Sequence, residues 1–170
     1  MGKVKLGVGL IFCFALVGCG YQFVTTTQLP AGLQTIHVQL LANNTGNLGI
    51  ETFFTNDIIY EFVRAEPQLI AGRNTADGFL TGTISGLRYQ TVAKRDPQVS
   101  LERLVMCSVD LKLTDRKGTV LWSASNISNS ESFFVVPDNK LATEKNQEVA
   151  LRALSRRIAE DVYYRLTSNF

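Results

Sequence analysis

Residues 104–114, LVMCSVDLKLT, decide the fold because apolar residues occupy every second position without a break from residue 105 onward. A period of two is typical of a β-strand that buries one face and exposes the other. The residues predicted to point inward are Val105, Cys107, Val109, Leu111 and Leu113. Residues 115–118, DRKG, favour a hairpin turn, and residues 119–123 favour the returning antiparallel strand. The sheet is therefore expected to be organised around this hairpin.

Other strands are predicted before the hairpin. Residues 35–40 alternate apolar and polar side chains and predict the first strand, and residues 79–89 predict a longer one. Gly82 and Gly86 interrupt the longer strand, so one of them is expected to mark a bulge or a close approach by the helix above. A short strand is also predicted at residues 68–71.

Two segments have helical spacing, at residues 48–64 and 146–170. Their apolar stripes are Ile50, Phe54, Ile58 and Phe62 in the first and Leu151, Leu154, Ile158, Val162 and Leu166 in the second. Between the hairpin and the second helix, residues 133–136 form an apolar cluster that either extends the last strand or forms a docking edge. The order of elements predicts an α+β fold: a two-layer sandwich in which a mixed β-sheet of four to five strands carries two α-helices on one face.

Residues 1–18 are typical of a secretory signal peptide. Lys3 and Lys5 form a small basic region, and residues 6–17 form an apolar run. This run has about a dozen residues, whereas a helix needs roughly twenty to cross a bilayer. We therefore expect a segment that is cleaved and not a retained membrane span.

The end of this signal, Leu16-Val17-Gly18-Cys19, resembles the lipobox of bacterial lipoproteins. The resemblance implies cleavage before Cys19, which then carries an S-diacylglycerol group and an N-acyl chain, and several acyl chains hold a protein at a membrane almost permanently. Gly20, where Asp would favour the inner membrane, implies the outer membrane on its periplasmic side. The alternative is a chance cysteine at the end of an ordinary signal peptide. We expect a lipidated N-terminus and linker at residues 19–33 and a single folded domain at residues 34–170.

Composition excludes several classes of function. Lys and Arg number 17 against 15 Asp and Glu, so no strong positive field favours nucleic acid. After removal of the signal peptide and acylation of Cys19, the remaining thiol is Cys107, and His37 is the one histidine, so neither a zinc site nor a serine-type triad can be built. His37 is expected to be solvated or hydrogen-bonded locally. With no dinucleotide or phosphate-loop motif before either helix, we expect no catalytic residue, no metal and no cofactor besides the covalent lipid.

One loop carries a pair of residues suited to a ligand. Lys94 and Arg95 lie in a polar segment, residues 90–102, between two long predicted strands. Two adjacent cations bind phosphate well, because a guanidinium can hold it with two parallel hydrogen bonds. The alternative is an exposed basic loop with no partner.

Short motifs along the chain resemble those of the LPS-assembly lipoprotein LptE family. They are Gly18-Cys19-Gly20-Tyr21, Leu29-Pro30, Thr35-Ile36-x-Val38, Ala76-Asp77-x-x-Leu80-x-Gly82-x-Ile84, Asp115-x-x-Gly118-x-x-Leu121-Trp122 and Asn146-x-Glu148-x-Ala150-Leu151. Together these motifs extend along essentially the whole chain that follows the signal peptide.

This resemblance implies an outer-membrane lipoprotein that is seated as a plug inside the β-barrel of its partner LptD and helps to assemble it. The pair places lipopolysaccharide in the outer leaflet. The resemblance also implies lipopolysaccharide contacts by a basic loop residue, here Arg95 with Lys94 beside it, and by a residue near the start of the last helix, where Lys140 and Lys145 both lie. The alternative is a lipoprotein pilotin or chaperone for another outer-membrane complex, such as a secretin.

Overall fold

Five strands and two helices make up the part of the chain that is described, residues 28–92 and 101–168 of a computed structural model. The elements are β1 (Ile36–Val38), β2 (Ala42–Asn43), α1 (Ile50–Ala65), β3 (Gly78–Thr91), β4 (Leu101–Asp115), β5 (Val120–Val135) and α2 (Lys140–Thr167). Single 3-10 turns lie at Pro30–Gly32 and Pro67–Leu69.

The strands form one mixed sheet in the order β1, β3, β4, β5, and β2 also pairs with β3. The pairs of β3 with β4 and of β4 with β5 are antiparallel, whereas β1 and β2 run parallel to β3. A parallel pair needs a crossover connection, and α1 lies in the segment that makes it. The predicted mixed sheet and the predicted hairpin are confirmed.

The core lies between the sheet and the two helices. All five residues predicted to point inward from β4 are buried, and so are the apolar stripes of both helices. Tyr163 of α2 meets Phe62 of α1 edge to face, with ring centroids 5.1 Å apart. The hydroxyl of Ser155 donates a 2.6 Å hydrogen bond to Asp57 across the same pair of helices. The two-layer α+β arrangement predicted from the pattern is therefore confirmed.

The bulge expected at one of the two glycines of β3 is confirmed, whereas the close approach at the other comes from the neighbouring strand β4 and not from a helix. A Cβ atom on Gly82 would overlap the side chain of Leu111 and crowd the carbonyl oxygen of Asp110, so no larger residue fits there. The register of β3 against β4 shifts between Ile84 and Gly86, which places a bulge at this point.

Two strand predictions before the hairpin need correction. Residues 68–71 do not form a strand, because Pro67 begins a 3-10 turn and only Ile70 makes a single bridge, to Ile36. Residues 35–40 contain a shorter strand than predicted, since β1 ends at Val38. The chain then forms a second short strand, β2, which was not predicted.

The last strand and the last helix are both longer than predicted. The Ser/Asn-rich stretch after residue 123 continues β5 to Val135, so the apolar cluster at residues 133–136 extends the strand. A polar sequence is compatible with this strand because β5 lies at the edge of the sheet. The helix begins at Lys140, six positions before the predicted start, because the side chain of Asn139 caps it by accepting a hydrogen bond from the backbone N–H of Ala142.

The fold also begins earlier than the predicted boundary at residue 34. Leu29 and Pro30, in the predicted linker, are buried. Leu29 belongs to the same core cluster as the sheet and the helices. The end of the predicted linker is thus a packed part of the domain.

Candidate functional site at the loop end of the sheet

The long strands separate two ends of the molecule. With 14 residues, β3 is about 45 Å long at the usual rise of a strand. We call the end formed by residues 29–35, 76–78 and 115–119 the tether end, because the N-terminal segment enters the fold there. We call the end formed by residues 89–92, 101–103 and 133–147 the loop end.

Three of the four charged side chains at the tether end, those of Asp77, Asp115 and Arg116, are used in hydrogen bonds within the fold, and the fourth, Lys117, is exposed. Asp77 accepts hydrogen bonds from the backbone N–H of Thr35 at 3.1 Å and from its hydroxyl at 2.9 Å. The hydroxyl bond is the main reason why the pKa of Asp77 lies below its ordinary value. Arg116 donates to the carbonyl oxygens of Ala76, at 2.7 Å, and Asn74, at 3.1 Å. This end holds the hairpin turn against the start of β3.

The loop end contains an open groove of about 570 Å³ between β4, the end of β5 and the first turns of α2. Arg103 of β4 and Lys140 of α2 both line it. Arg103 is exposed and has no hydrogen-bond or ion-pair partner among the residues that the structure describes. Lys140 makes one exposed ion pair with Glu144, with 3.6 Å between Nζ and Oε1, and such pairs are weak. Both cations therefore remain available to a ligand.

The groove is not strongly positive by itself. Asp138 and Glu144 also line it, so its cations and carboxylates are equal in number within residues 101–168. The N-terminus of α2 has no acidic residue in its first turn and contributes a partial positive charge. A marked preference for anions would therefore need further cations, such as those of the adjoining loop.

Tyr89 fixes the geometry of this end. Its hydroxyl oxygen accepts hydrogen bonds from the side-chain amides of Asn47, at 2.7 Å, and Gln147, at 2.8 Å. Its ring meets the buried ring of Phe133 edge to face, with centroids 6.2 Å apart. Because these contacts join three segments, Tyr89 holds the end of β3 at a set position relative to α2.

Of the predicted site residues, the structure describes Lys140 and Lys145 and does not bring them together. Cys19, Lys94 and Arg95 lie outside the described residues. The hairpin that carries Lys94 and Arg95 closes with a 2.9 Å hydrogen bond from the backbone N–H of Val92 to Glu102, so this loop begins and ends at the loop end. Lys140 lines the groove beside it.

Lys145 is placed differently. It lies roughly 150° around α2 from the residues that line the groove, at the usual 100° per residue. It is exposed and does not line the groove. Sequence reasoning missed Arg103 and Tyr89, although Arg103 interrupts the alternation just before Val105 and could have been noticed as a cation on the inner face.

The remaining reactive groups of the described residues do not form a chemical site. His37 lies with Nδ1 3.2 Å from the carbonyl oxygen of Ala71, which is the local contact that was expected. Burial raises the pKa of the Cys107 thiol to about 12. Within residues 28–92 and 101–168, no three His, Cys, Asp or Glu side chains are grouped so that they could hold a metal ion. None of the helices in the same residues combines the length and apolar character needed to span a bilayer.

Comparison with known families identifies the chain. The family model described as LptE, lipopolysaccharide-assembly, matches residues 33–166. The chain belongs to the LptE family. The resemblance drawn from the sequence motifs is therefore confirmed, and the protein is a lipoprotein of lipopolysaccharide assembly in a family that is not catalytic.

Solved structures that share this fold are also named as lipoproteins. An uncharacterized lipoprotein B from Nitrosomonas europaea has a TM-score of 0.57 at 10% identity, covering 88% of this chain and 91% of that one. A minor lipoprotein from Acinetobacter baumannii has a TM-score of 0.51 at 12% identity, covering 80% of this chain and 92% of that one. A putative lipoprotein from Caulobacter crescentus has a TM-score of 0.51 at 12% identity, covering 75% and 88%. At these low sequence identities, the similarity shows a common fold and carries no information about function. No curated protein matches the chain by sequence.

Proposed function

We propose that this LptE-family chain is anchored in the outer membrane by lipid on Cys19, plugs an LptD-like β-barrel, assists its assembly, and binds lipopolysaccharide at the loop end. The observation that carries the proposal is the family match together with a groove that holds available cations at the end opposite the tether. Lipopolysaccharide carries phosphate groups, and Arg and Lys are the side chains that bind phosphate best.

The dimensions of the molecule suit a plug. From Cys19 to Leu29 the chain can span at most about 35 Å. The domain beyond it is about 45 Å long, while the apolar band of an outer-membrane barrel is about 25 Å tall. A domain tethered to the inner leaflet can therefore reach through such a barrel with its loop end toward the outer leaflet.

The face of the sheet that the helices leave uncovered suits a barrel lumen. Its exposed or half-buried side chains include many hydroxyls, among them Thr81, Thr83, Ser108, Ser128, Ser130 and Ser132, together with the charged groups of Arg88, Asp110 and Lys112. A barrel interior is polar and hydrated. A surface of hydroxyl and charged side chains can lie against such a wall while its polar groups stay hydrated.

The phosphate contacts are proposed for Lys94 and Arg95 in the loop and for Arg103 and Lys140 in the groove. Lys94 and Arg95 would add the positive charge that the groove itself lacks. Lys145, on another side of α2, would contact the same ligand only at a separate point. The roles of Lys140 and Lys145 in binding are therefore expected to differ.

The proposed function is tested by capture from the native cell. The tagged full-length protein, purified in mild detergent, should retain an LptD-like barrel, and mass spectrometry should find an N-terminal Cys19 with three acyl chains. Recovery of a secretin without such a barrel would favour the pilotin alternative, and an unmodified thiol at Cys19 would contradict the anchor.

The ligand is tested with paired charge reversals. Arg95→Glu should weaken binding of purified lipopolysaccharide, whereas Lys112→Glu, an exposed cation outside the loop end, should leave it unchanged. If both variants bound lipopolysaccharide as tightly as the wild type, the loop would be an exposed basic loop with no partner.

A further inference from the structure

The first turns of α2 extend beyond the hydrophobic core. The buried residues of this helix begin at Ala150, so residues 140–149 contribute none. Hydrogen bonds hold this part of the helix instead. The hydroxyl oxygen of Thr143 accepts one from the backbone N–H of Val136 at 3.0 Å, and the side-chain amide of Asn146 donates one to the carbonyl oxygen of Phe134 at 2.9 Å. Both bonds join the helix to the end of β5, the strand that precedes it.

Gln147 joins the same turns of α2 to β3. Its side-chain amide donates a 2.8 Å hydrogen bond to the hydroxyl oxygen of Tyr89. Within residues 28–92 and 101–168, no other hydrogen bond or ion pair links residues 140–149 to β3 or β4. Gln147 lines the groove and lies seven positions after Lys140, which is about two turns along the same side of the helix. The bond at Gln147 therefore sets the rotation of the helix that brings Lys140 to the groove.

Tyr89 is itself held on several sides. The side-chain amide of Asn47 donates to the same hydroxyl oxygen at 2.7 Å, so both lone pairs of this oxygen are used. The ring meets the buried ring of Phe133 edge to face. Thr91, two residues further along β3, pairs with Arg103 of β4, so Tyr89 is the diagonal neighbour of Arg103 on one face of the sheet. Tyr89 thus gives the helix a fixed point on the sheet beside the other wall of the groove.

We propose that Tyr89 is a positioning residue for the binding groove. Its hydroxyl holds Gln147, and with it the first turns of α2, where Lys140 and Arg103 can contact the same phosphate-bearing ligand. Tyr89 does not line the groove, so it acts through Gln147 and not by touching the ligand. This inference rests on the proposed function, because the ligand is the lipopolysaccharide proposed for the groove. Loss of the hydroxyl should weaken binding of this ligand while the fold is kept.

The test removes the hydroxyl and keeps the ring. Tyr89→Phe loses both hydrogen bonds but retains the packing on Phe133. Tyr60→Phe is the matched control, since Tyr60 is 61% exposed on α1 and makes no hydrogen bond among the described residues. Full-length protein in detergent is titrated with purified lipopolysaccharide, and thermal unfolding of each variant checks that the fold is kept.

A distance measurement follows the position of the helix. Spin labels are attached at Gln90→Cys and Glu148→Cys, two exposed positions on β3 and α2, while Cys107 is buried and stays unlabelled. Pulsed EPR should give one narrow distance distribution for the wild type and for Tyr60→Phe, and a broader one for Tyr89→Phe. The affinity for lipopolysaccharide should fall about fivefold in Tyr89→Phe, as expected for the loss of a hydrogen bond, and stay unchanged in Tyr60→Phe.

A second variant, Gln147→Met, removes the amide and keeps the length of the side chain. If Tyr89 acts through Gln147, the double variant Tyr89→Phe/Gln147→Met should bind no more weakly than the weaker of the two single variants. Losses that add, or unchanged affinity in Tyr89→Phe, would overturn the inference. Weaker binding without a broader distance distribution would also overturn it, by showing that the hydroxyl contacts the ligand itself. If the wild type bound no lipopolysaccharide, the ligand-binding part of the proposed function would be wrong, and this inference with it.

Discussion

The two ends of the sheet differ in what their charged groups do. At the tether end, Asp77 and Arg116 are hydrogen-bonded within the fold, to Thr35 and to backbone carbonyl groups. At the loop end, Arg103 has no partner among the described residues, and Lys140 has one exposed ion pair. A cation that is already hydrogen-bonded has little capacity left for a ligand. We therefore expect a structural role for the tether end and a binding role for the loop end.

The largest effect is expected from Leu29→Ala at the tether end. Leu29 is 1% exposed, and removing a buried leucine side chain costs roughly 2–5 kcal/mol of unfolding free energy. Urea denaturation of the purified protein measures this loss. Leu40→Ala removes the same atoms from an exposed position and should cost less than about 0.5 kcal/mol. An equal loss of unfolding free energy in the two variants would mean that Leu29 is not packed in the core.

A smaller loss of stability is expected from Arg116→Ala. This change removes two hydrogen bonds from a charged donor to backbone carbonyl groups and should cost about 1 kcal/mol. Lys117→Ala, at the neighbouring exposed position of the turn, should have almost no effect. Urea denaturation compares the two variants. If Arg116→Ala were as stable as the wild type, the hydrogen bonds of Arg116 would not hold the hairpin turn against the start of β3.

At the loop end, Arg103→Ala should change binding and leave stability unaltered. Arg103 is exposed and unpaired among the described residues, so its removal should shift the unfolding free energy by less than about 0.5 kcal/mol. The affinity for lipopolysaccharide should fall about fivefold, which corresponds to about 1 kcal/mol. Arg73→Ala, an exposed cation outside the loop end, is the control. A loss of stability without a loss of affinity would reverse the roles assigned to the two ends.

The smallest expected effect is the acid dependence that Asp77 confers. Its pKa in the folded protein lies below the ordinary value of 3.8, chiefly because the Thr35 side chain donates a hydrogen bond to it. The stabilisation is therefore fully present above that ordinary value and is lost as the pH falls through the lowered pKa. Asp77→Asn should be less stable than the wild type at pH 7, and the difference should shrink on acidification. Urea midpoints measured from pH 7 down to pH 2 follow this difference; a constant difference would contradict the assignment.

The parts of the fold that follow from local pattern were predictable. The alternation over residues 104–114 indicated the buried face of β4, and the spacing of Phe54, Ile58 and Phe62 indicated the packed face of α1. The parallel pairing of β1 and β2 with β3 could not be predicted, because it depends on where the crossover returns the chain.

The errors have physical causes. The later part of β5 is polar because an edge strand need not be apolar, so the usual strand pattern is missing from residues 124–132. The first turns of α2 were missed because the capping role of Asn139 depends on its backbone geometry as well as its residue type.

The candidate site was predictable only in part. Lys140 and Lys145 were both recognised as basic residues near the start of the last helix, but the predicted start at residue 146 left both outside the helix. Once α2 is known to begin at Lys140, the two side chains fall on different sides of it. Arg103 was missed because the groove that it lines forms only when β5 extends to Val135, which brings α2 beside β4.

The division between the two ends can be measured directly on one strand. Phe134 and Val120 lie at opposite ends of β5 and are 57% and 56% exposed. A photo-crosslinking benzophenone amino acid is placed at either position in the full-length protein in its native cell, and adducts are probed for lipopolysaccharide after irradiation. We predict a lipopolysaccharide adduct from position 134 and none from position 120, with both variants still copurifying with the barrel. Equal adducts from both positions, or an adduct from position 120 alone, would contradict the assignment of binding to the loop end.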